Sequence, residues 1–179
     1  ASGLKHLYAF MSDFFNDPGS PYRVFARSNP YPGSGGTGLA KSFMFGYGTG
    51  ESAEEKKLLL AHEMAHNWPR LNGEEAHPLT AWYTEGNAEY YSLFLSLRAG
   101  VIDLDEFLSV ANDHARGYYT NPYIAKTNEE AGQLFWSDSR AQRVPYGRGF
   151  MYFVRLNSQI KTKSGGARSL DNLVLDVLD

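Results

Sequence analysis

His62 and His66 stand four residues apart in the run LLLAHEMAHNWPRL, residues 58–71, with Glu63 beside the first. On a helix, positions i and i+4 share a face, so both imidazoles can aim a nitrogen at one point. Glu63 points roughly a quarter turn aside. That is too far round to complete a ligand set easily, but close enough to reach a water on a metal held by the histidines. H-E-x-x-H carries this geometry when it lies on a helix; the bland alternative is a core helix with two satisfied histidines. A metal needs a third ligand. Glu85, in WYTEGNAEYYS, offers one, with 18 residues between it and His66. A connection of that length, holding Pro69, Gly73 and Pro78, lets two helices pack side by side. Two imidazoles and one carboxylate leave a fourth zinc position for water, as in a catalytic site. Trp, Tyr and Ala around Glu85 favour a partnered charge over a solvated one. Glu89, one turn on, is the candidate to receive the second N–H of His62. One zinc ion is the implied cofactor, and the same ligand set also takes cobalt or manganese.

Two adjacent helices must position these groups. Ser52 and Glu55 form an S-x-x-E capping box. The first helix is therefore predicted to begin near Ala53, run through the histidines and end near Asn67 or Trp68, before Pro69. Asn67, next to the second histidine, can bond a backbone group near the site. A second long helix is expected from about Thr80 to just before Gly100, a plausible C′ residue. Asp103 and Glu106 suggest a capped helix reaching about Arg116. GYYTNPY, residues 117–123, reads as a turn, residues 127–135 as weakly helical, and RVPYGRG, residues 143–149, as a loop. A helix is expected from about Phe150 to Lys161, and Ser169 caps a short last one. Upstream, residues 4–16 read as an amphipathic helix that NDPGSP breaks. Strands are expected in residues 22–27 and in LAKSFMFGYG, residues 39–48, with a Pro/Gly/Ser loop over residues 29–38 between them. The class is α+β: one catalytic domain over residues 1–179, mainly sheet in 1–50 and helical in 51–179.

Composition narrows the function. With 42% hydrophobic and 21% charged residues, the chain has the make-up of a folded protein. Twelve Tyr, 11 Phe and 3 Trp suit a groove lined for apolar groups as well as a core. A net charge of −3 argues against a nucleic-acid partner, which needs a basic surface. The absence of cysteine removes disulfides, thiolate ligands and cysteine nucleophiles together. No apolar stretch approaches the length of a membrane span. ASGLKHLYAF lacks the basic and apolar regions of a signal peptide, and the compartment is left unassigned. His6 and His114 read as surface or boundary residues and His77 as a solvated loop histidine.

HEMAH, 18 residues, then Glu85 in WYTEGNAEYY resembles the gluzincin, or thermolysin-like, zinc metallopeptidases. The glycyl-aminopeptidase family is the nearest in pattern, and the aminopeptidase N family a more distant relative. VPYGRGFMYFVRLNSQIKTKSGGARSLDNL resembles their Y-x-[KR]-G pattern, helix and G-x-x-S-L-D-[DN] turn. GGTGLAKSF is similar in placement to their glycine-rich edge strand. The resemblance implies a zincin domain with a small N-terminal sheet lobe, a mainly helical lobe and a zinc site in the cleft between them. It implies a peptidase acting on a peptide or protein. His62, His66 and Glu85 would hold the zinc, Glu63 would be the general base, and Tyr146 would stabilise the oxyanion. An edge strand over residues 38–45, with Gly38, Leu39 and Ala40 at the substrate, would pair with an extended peptide.

The sequence also departs from the pattern. Where those aminopeptidases carry a glutamate for the substrate amine, Ala40 or Lys41 stands here, so exo- and endopeptidase action both stay open. Gly147 replaces an acid in the tyrosine motif, while Arg148 keeps its basic position. The chain is far shorter than the enzymes it resembles, and flanking domains beyond it are expected. A zinc hydrolase of another bond, and a non-catalytic peptide-binding module, are the alternatives.

Overall fold

A computed structural model of the chain describes residues 2–17, 21–28, 36–39, 41–48, 56–68 and 77–178. It is α+β, mostly helical with one small sheet. The order is α1 (Ser2–Phe14), β1 (Arg23–Ser28), β2 (Gly36–Leu39), β3 (Ser42–Tyr47), α2 (Lys57–Ala65), α3 (His77–Arg98), α4 (Leu104–Tyr119), α5 (Asn128–Gln133), α6 (Ser139–Lys163) and α7 (Leu170–Leu178). None of the described helices is long and apolar enough to cross a membrane.

The sheet has the order β1-β3-β2, with β1 parallel and β2 antiparallel to β3. Leu39 pairs with Ser42, so β2 and β3 form a tight hairpin, and Lys41 takes a positive φ of 53° there. This corrects two expectations. Residues 36–38 belong to a strand rather than to the loop expected over residues 29–38. Residues 38–45 are not one edge strand but a hairpin, of which only β2 lies at the edge while β3 is central. Glycine-rich sequence hides β2, because its strand character comes from ladder pairing with β3 and not from β-propensity.

α2 is largely enclosed, with Leu60 to Ala65 all buried. Its C-terminal end is tied to the sheet by Asn67. That side chain accepts from the Lys41 N–H at 3.2 Å and donates to the Tyr22 hydroxyl at 3.1 Å and the Met64 carbonyl at 2.9 Å. Asp17 adds a second tie, bonding both Lys41 Nζ and Trp68 Nε1. The Ser52/Glu55 box lies outside the described residues. α3 begins at His77, three residues earlier than expected, and α4 continues to Tyr119 through the first part of the expected turn. The Asp103 side chain accepts from the Glu106 N–H at 2.8 Å, as the capping pattern predicts. Thr127 and Glu130 form a full capping box on α5.

The largest correction concerns residues 143–149. They lie inside α6 and not in a loop. Asp138 caps this helix, accepting from the Arg140 N–H at 2.9 Å. Pro145 in its interior lacks an N–H, a cost of about 3 kcal/mol in an ordinary helix. Packing offsets it: Ala141, Val144, Pro145, Gly147 and Gly149 are all buried. The two glycines are contact points. A Cβ on Gly147 would sit 2.7 Å from Tyr118 Cβ. One on Gly149 would sit 1.8 Å from the Trp82 carbonyl oxygen and 2.6 Å from Gly86 Cα. α3 and α6 therefore cross backbone to backbone at Gly86 and Gly149, and only glycine allows that approach.

Gly149→Ala must push α3 and α6 apart and is expected to cost about 3 kcal/mol or more. Gly117→Ala, in open space within α4, should change stability by no more than about 1 kcal/mol, in the stabilising direction. Equilibrium urea denaturation of the two variants checks the contrast.

Candidate metal centre

The α2–α3 interface brings the three expected ligands together. His62 lies in α2, His66 is its C-cap and Glu85 lies in α3. His62 Nε2 stands 3.2 Å from Glu85 Oε2, His66 Nε2 stands 3.0 Å from His62 Nε2, and His66 Nε2 stands 3.4 Å from Glu85 Oε2. Atoms about 2.0–2.2 Å from a common centre in tetrahedral directions would be separated by roughly 3.3–3.6 Å. The observed triangle fits that donor set. Two imidazole nitrogens facing each other at 3.0 Å also need either a shared proton or a cation between them. Buried His62, His66 and Glu85 are thus a group that could hold a metal ion.

Burial makes the charges here consequential. His62, Glu63 and Glu85 are only 8, 6 and 7% exposed, so each needs a partner. Burial alone would push the His62 imidazole down. The Glu89 and Glu85 carboxylates overcome that and raise it to about 10. Glu89 Oε1 lies 3.6 Å from His62 Nδ1, a buried nitrogen with no closer partner. The other oxygen, Oε2, lies 3.2 Å from His114 Nε2 on α4. Burial would raise the Glu89 carboxyl, yet these two imidazoles hold it well below the usual carboxylate range.

Glu63 stands outside the ligand triangle. Burial raises its carboxyl above the ordinary value against the pull of His62 and His66. Its side chain fills the space at Gly36 of β2, where a Cβ would come within 2.4 Å of Oε1. The glycine of the edge strand is what makes room for this carboxylate. Tyr146, on α6, lies nearly parallel to the His62 ring, with centroids 6.0 Å apart and planes at 12°. Burial, then the charge of the adjacent Glu85 carboxylate and a hydrogen bond to it, holds its phenol well above the normal range.

A cavity of about 410 Å³ opens on this group, with Gly36, His62, Glu63, His114, Arg143 and Tyr146 in its wall. A second, of about 580 Å³, shares Glu89, His114, Arg143 and Tyr146 with it and runs between α4 and the start of α6. Gly38 lies in β2 opposite Phe43. Leu39 ends β2, while its side chain and Ala40 lie outside the described residues. Lys41 is turned onto Asp17 and the Trp68 ring.

Three cavity residues escape a sequence reading. His114 reads as a surface or boundary residue and is half-buried as that implies, but its pairing with Glu89 was not foreseen; the helical face it shares with Val110 and Gly117 was the available signal. Gly36 is one of several glycines in a row. Arg143 has no local signal except its place one turn before Tyr146.

No protein-family model matches the chain, and no curated protein matches it. Among solved structures it is similar to the crystal structure of an aminopeptidase N family protein from Idiomarina loihiensis, with a TM-score of 0.75 and 16% identity. That match covers 99% of this chain and 35% of the other, so the chain spans about a third of that protein's length. At this identity the likeness shows a shared fold.

Proposed function

We propose that the chain is a zinc-dependent peptidase domain. The observation that carries this reading is the buried triangle of His62, His66 and Glu85 with a second carboxylate, Glu63, beside it and free of the triangle. The likeness to an aminopeptidase N family protein supports it at the level of the fold. A zinc ion held by His62, His66 and Glu85 supplies Lewis-acid activation of water and of the substrate carbonyl.

The protein's own groups do the rest. Glu63 takes the proton of the attacking water, and its raised carboxyl brings it nearer the neutral range that suits a general base. Tyr146 donates its O–H to the oxygen on which charge develops, a bond that strengthens as charge builds. The high phenol pKa keeps that proton in place at neutral pH. Glu89, backed by His114, orients His62 through Nδ1. The edge of β2 at Gly38 and Leu39, open among the described residues, and the adjoining Ala40 pair with an extended peptide. With Lys41 held on Asp17 and no acid at residues 40–41, the amine anchor of the aminopeptidases has no counterpart there.

Mass-spectrometric mapping of cleavage in a peptide library, half with free and half with acetylated N-termini, tests the reading. Single-residue losses from free peptides mean an aminopeptidase, internal cuts in both halves an endopeptidase, and zinc-loaded protein that cuts neither overturns it. Glu63→Gln should lower kcat by roughly 10²–10⁴ while keeping its zinc; unchanged hydrolysis would remove Glu63 from the role of base. Tyr146→Phe should lower kcat by roughly 10²–10³ with little change in KM.

Zinc at a hundredfold over its Kd adds about 2.7 kcal/mol of stability, a rise of roughly 5–10 °C in Tm for a domain of this size. His66→Ala should abolish the rise in differential scanning fluorimetry. Uptake must displace the proton that Glu89 and Glu85 favour on His62. Binding therefore releases protons and tightens as pH rises, which titration calorimetry in buffers of different ionisation enthalpy reads directly.

A further inference from the structure

Arg143 lines both cavities and is exposed. No hydrogen bond or ion pair engages it among the described residues. Its neighbours on α6 and nearby are spent on structure. Arg140 is held by Asp138 at 2.7 Å. Arg148 donates to Asn128 and to the carbonyls of Ile124 and Lys126. The acids facing these cavities are not available to Arg143 either. Glu89 is engaged by His62 and His114, and Asp113 pairs with Arg116. Glu63 makes no ion pair with Arg143. An exposed arginine thus lines the cavities, its charge close enough to act on the Tyr146 phenol.

Its position relative to Tyr146 limits what it can receive. Residues three apart on a helix have Cβ atoms about 5–6 Å apart. One residue of extended peptide spans about 3.3–3.6 Å. A carbonyl at Tyr146 therefore places groups one or two residues away within reach of the guanidinium. A guanidinium binds a carboxylate through two parallel N–H···O bonds. One arginine, in a chain of net charge −3, suits one carboxylate; a phosphate or polyanion calls for several cations.

Resting on the peptidase reading, we propose that Arg143 sets specificity by receiving a substrate carboxylate one or two residues from the bond attacked. The carboxylate is either the C-terminal α-carboxylate or an Asp or Glu side chain.

The test uses peptides that carry Asp or Glu, or their Asn or Gln counterparts, around one cleavable bond, each with a free and with an amidated C-terminus. Zinc-loaded protein should favour the carboxylate-bearing member of one pair by roughly 10- to 100-fold in kcat/KM. Loss with amidation identifies the α-carboxylate, and loss with Asn or Gln identifies the side chain. Arg143→Ala should bring that ratio close to one, and Arg143→Lys should restore part of it. Arg155→Ala, an exposed arginine further along α6, should leave the ratio alone. No preference in the unaltered chain, or a preference that survives Arg143→Ala, overturns the proposal. A parallel arm does not need turnover: fluorescence anisotropy of the same labelled peptides on zinc-loaded Glu63→Gln, with and without Arg143→Ala. If no peptide is cleaved, the peptidase reading fails. A carboxylate-dependent affinity that disappears with Arg143→Ala would then still support the site, and equal affinities would overturn it.

Discussion

Everything at this centre depends on the contact between two imidazoles of α2 and two carboxylates of α3 in a nearly dry interface. A buried carboxylate is costly unless a positive partner or a metal meets it. Glu85 and Glu89, one turn apart on α3, meet His62 from both of its nitrogens. Removing the imidazoles would leave Glu89 to His114 alone and take from the buried Glu85 both of its histidine partners. The helices are thereby locked in register, and that register is the one that turns three ligand atoms toward one point.

The crossing of α3 with α6 completes the geometry. Gly86 follows Glu85 directly, and Gly149 lies three residues after Tyr146. With their backbones in contact, the Tyr146 phenol and the Glu85 carboxylate are held at fixed separation. The same close approach explains why a helix tolerates Pro145. The lost hydrogen bond is local, whereas the packing gained extends over several buried residues on either side of it.

The sheet acts on the site from above α2 through few but specific contacts. Asn67 ties the β2–β3 turn, at Lys41, to the end of α2, next to His66. Gly36 gives Glu63 its place. The edge strand, the Glu63 side chain and the helix that carries His62 and His66 are in this way packed as one unit.

His62, Glu63 and His66 on one helix, and Glu85 and Glu89 on the next, were legible in the sequence because a helix repeats the same geometry wherever it forms; the pairing of the two sets was read from the length of the connection between them. The capped start of α4 was legible for a similar reason, since a capping contact spans three residues. The helix carrying Tyr146 was not legible. Pro145, Gly147 and Gly149 describe a loop by local preference, and only contact with Tyr118 and Gly86 makes them helical. Nor could the sequence place Gly36 on Glu63, His114 on Glu89 or Arg143 in the cavities. Those pairings join segments distant along the chain, and their register is decided by packing, not by spacing. By itself the sequence determined which groups could share a metal; the tertiary structure decided which charges meet them, what room they have and which arginine lines the cavities beside them.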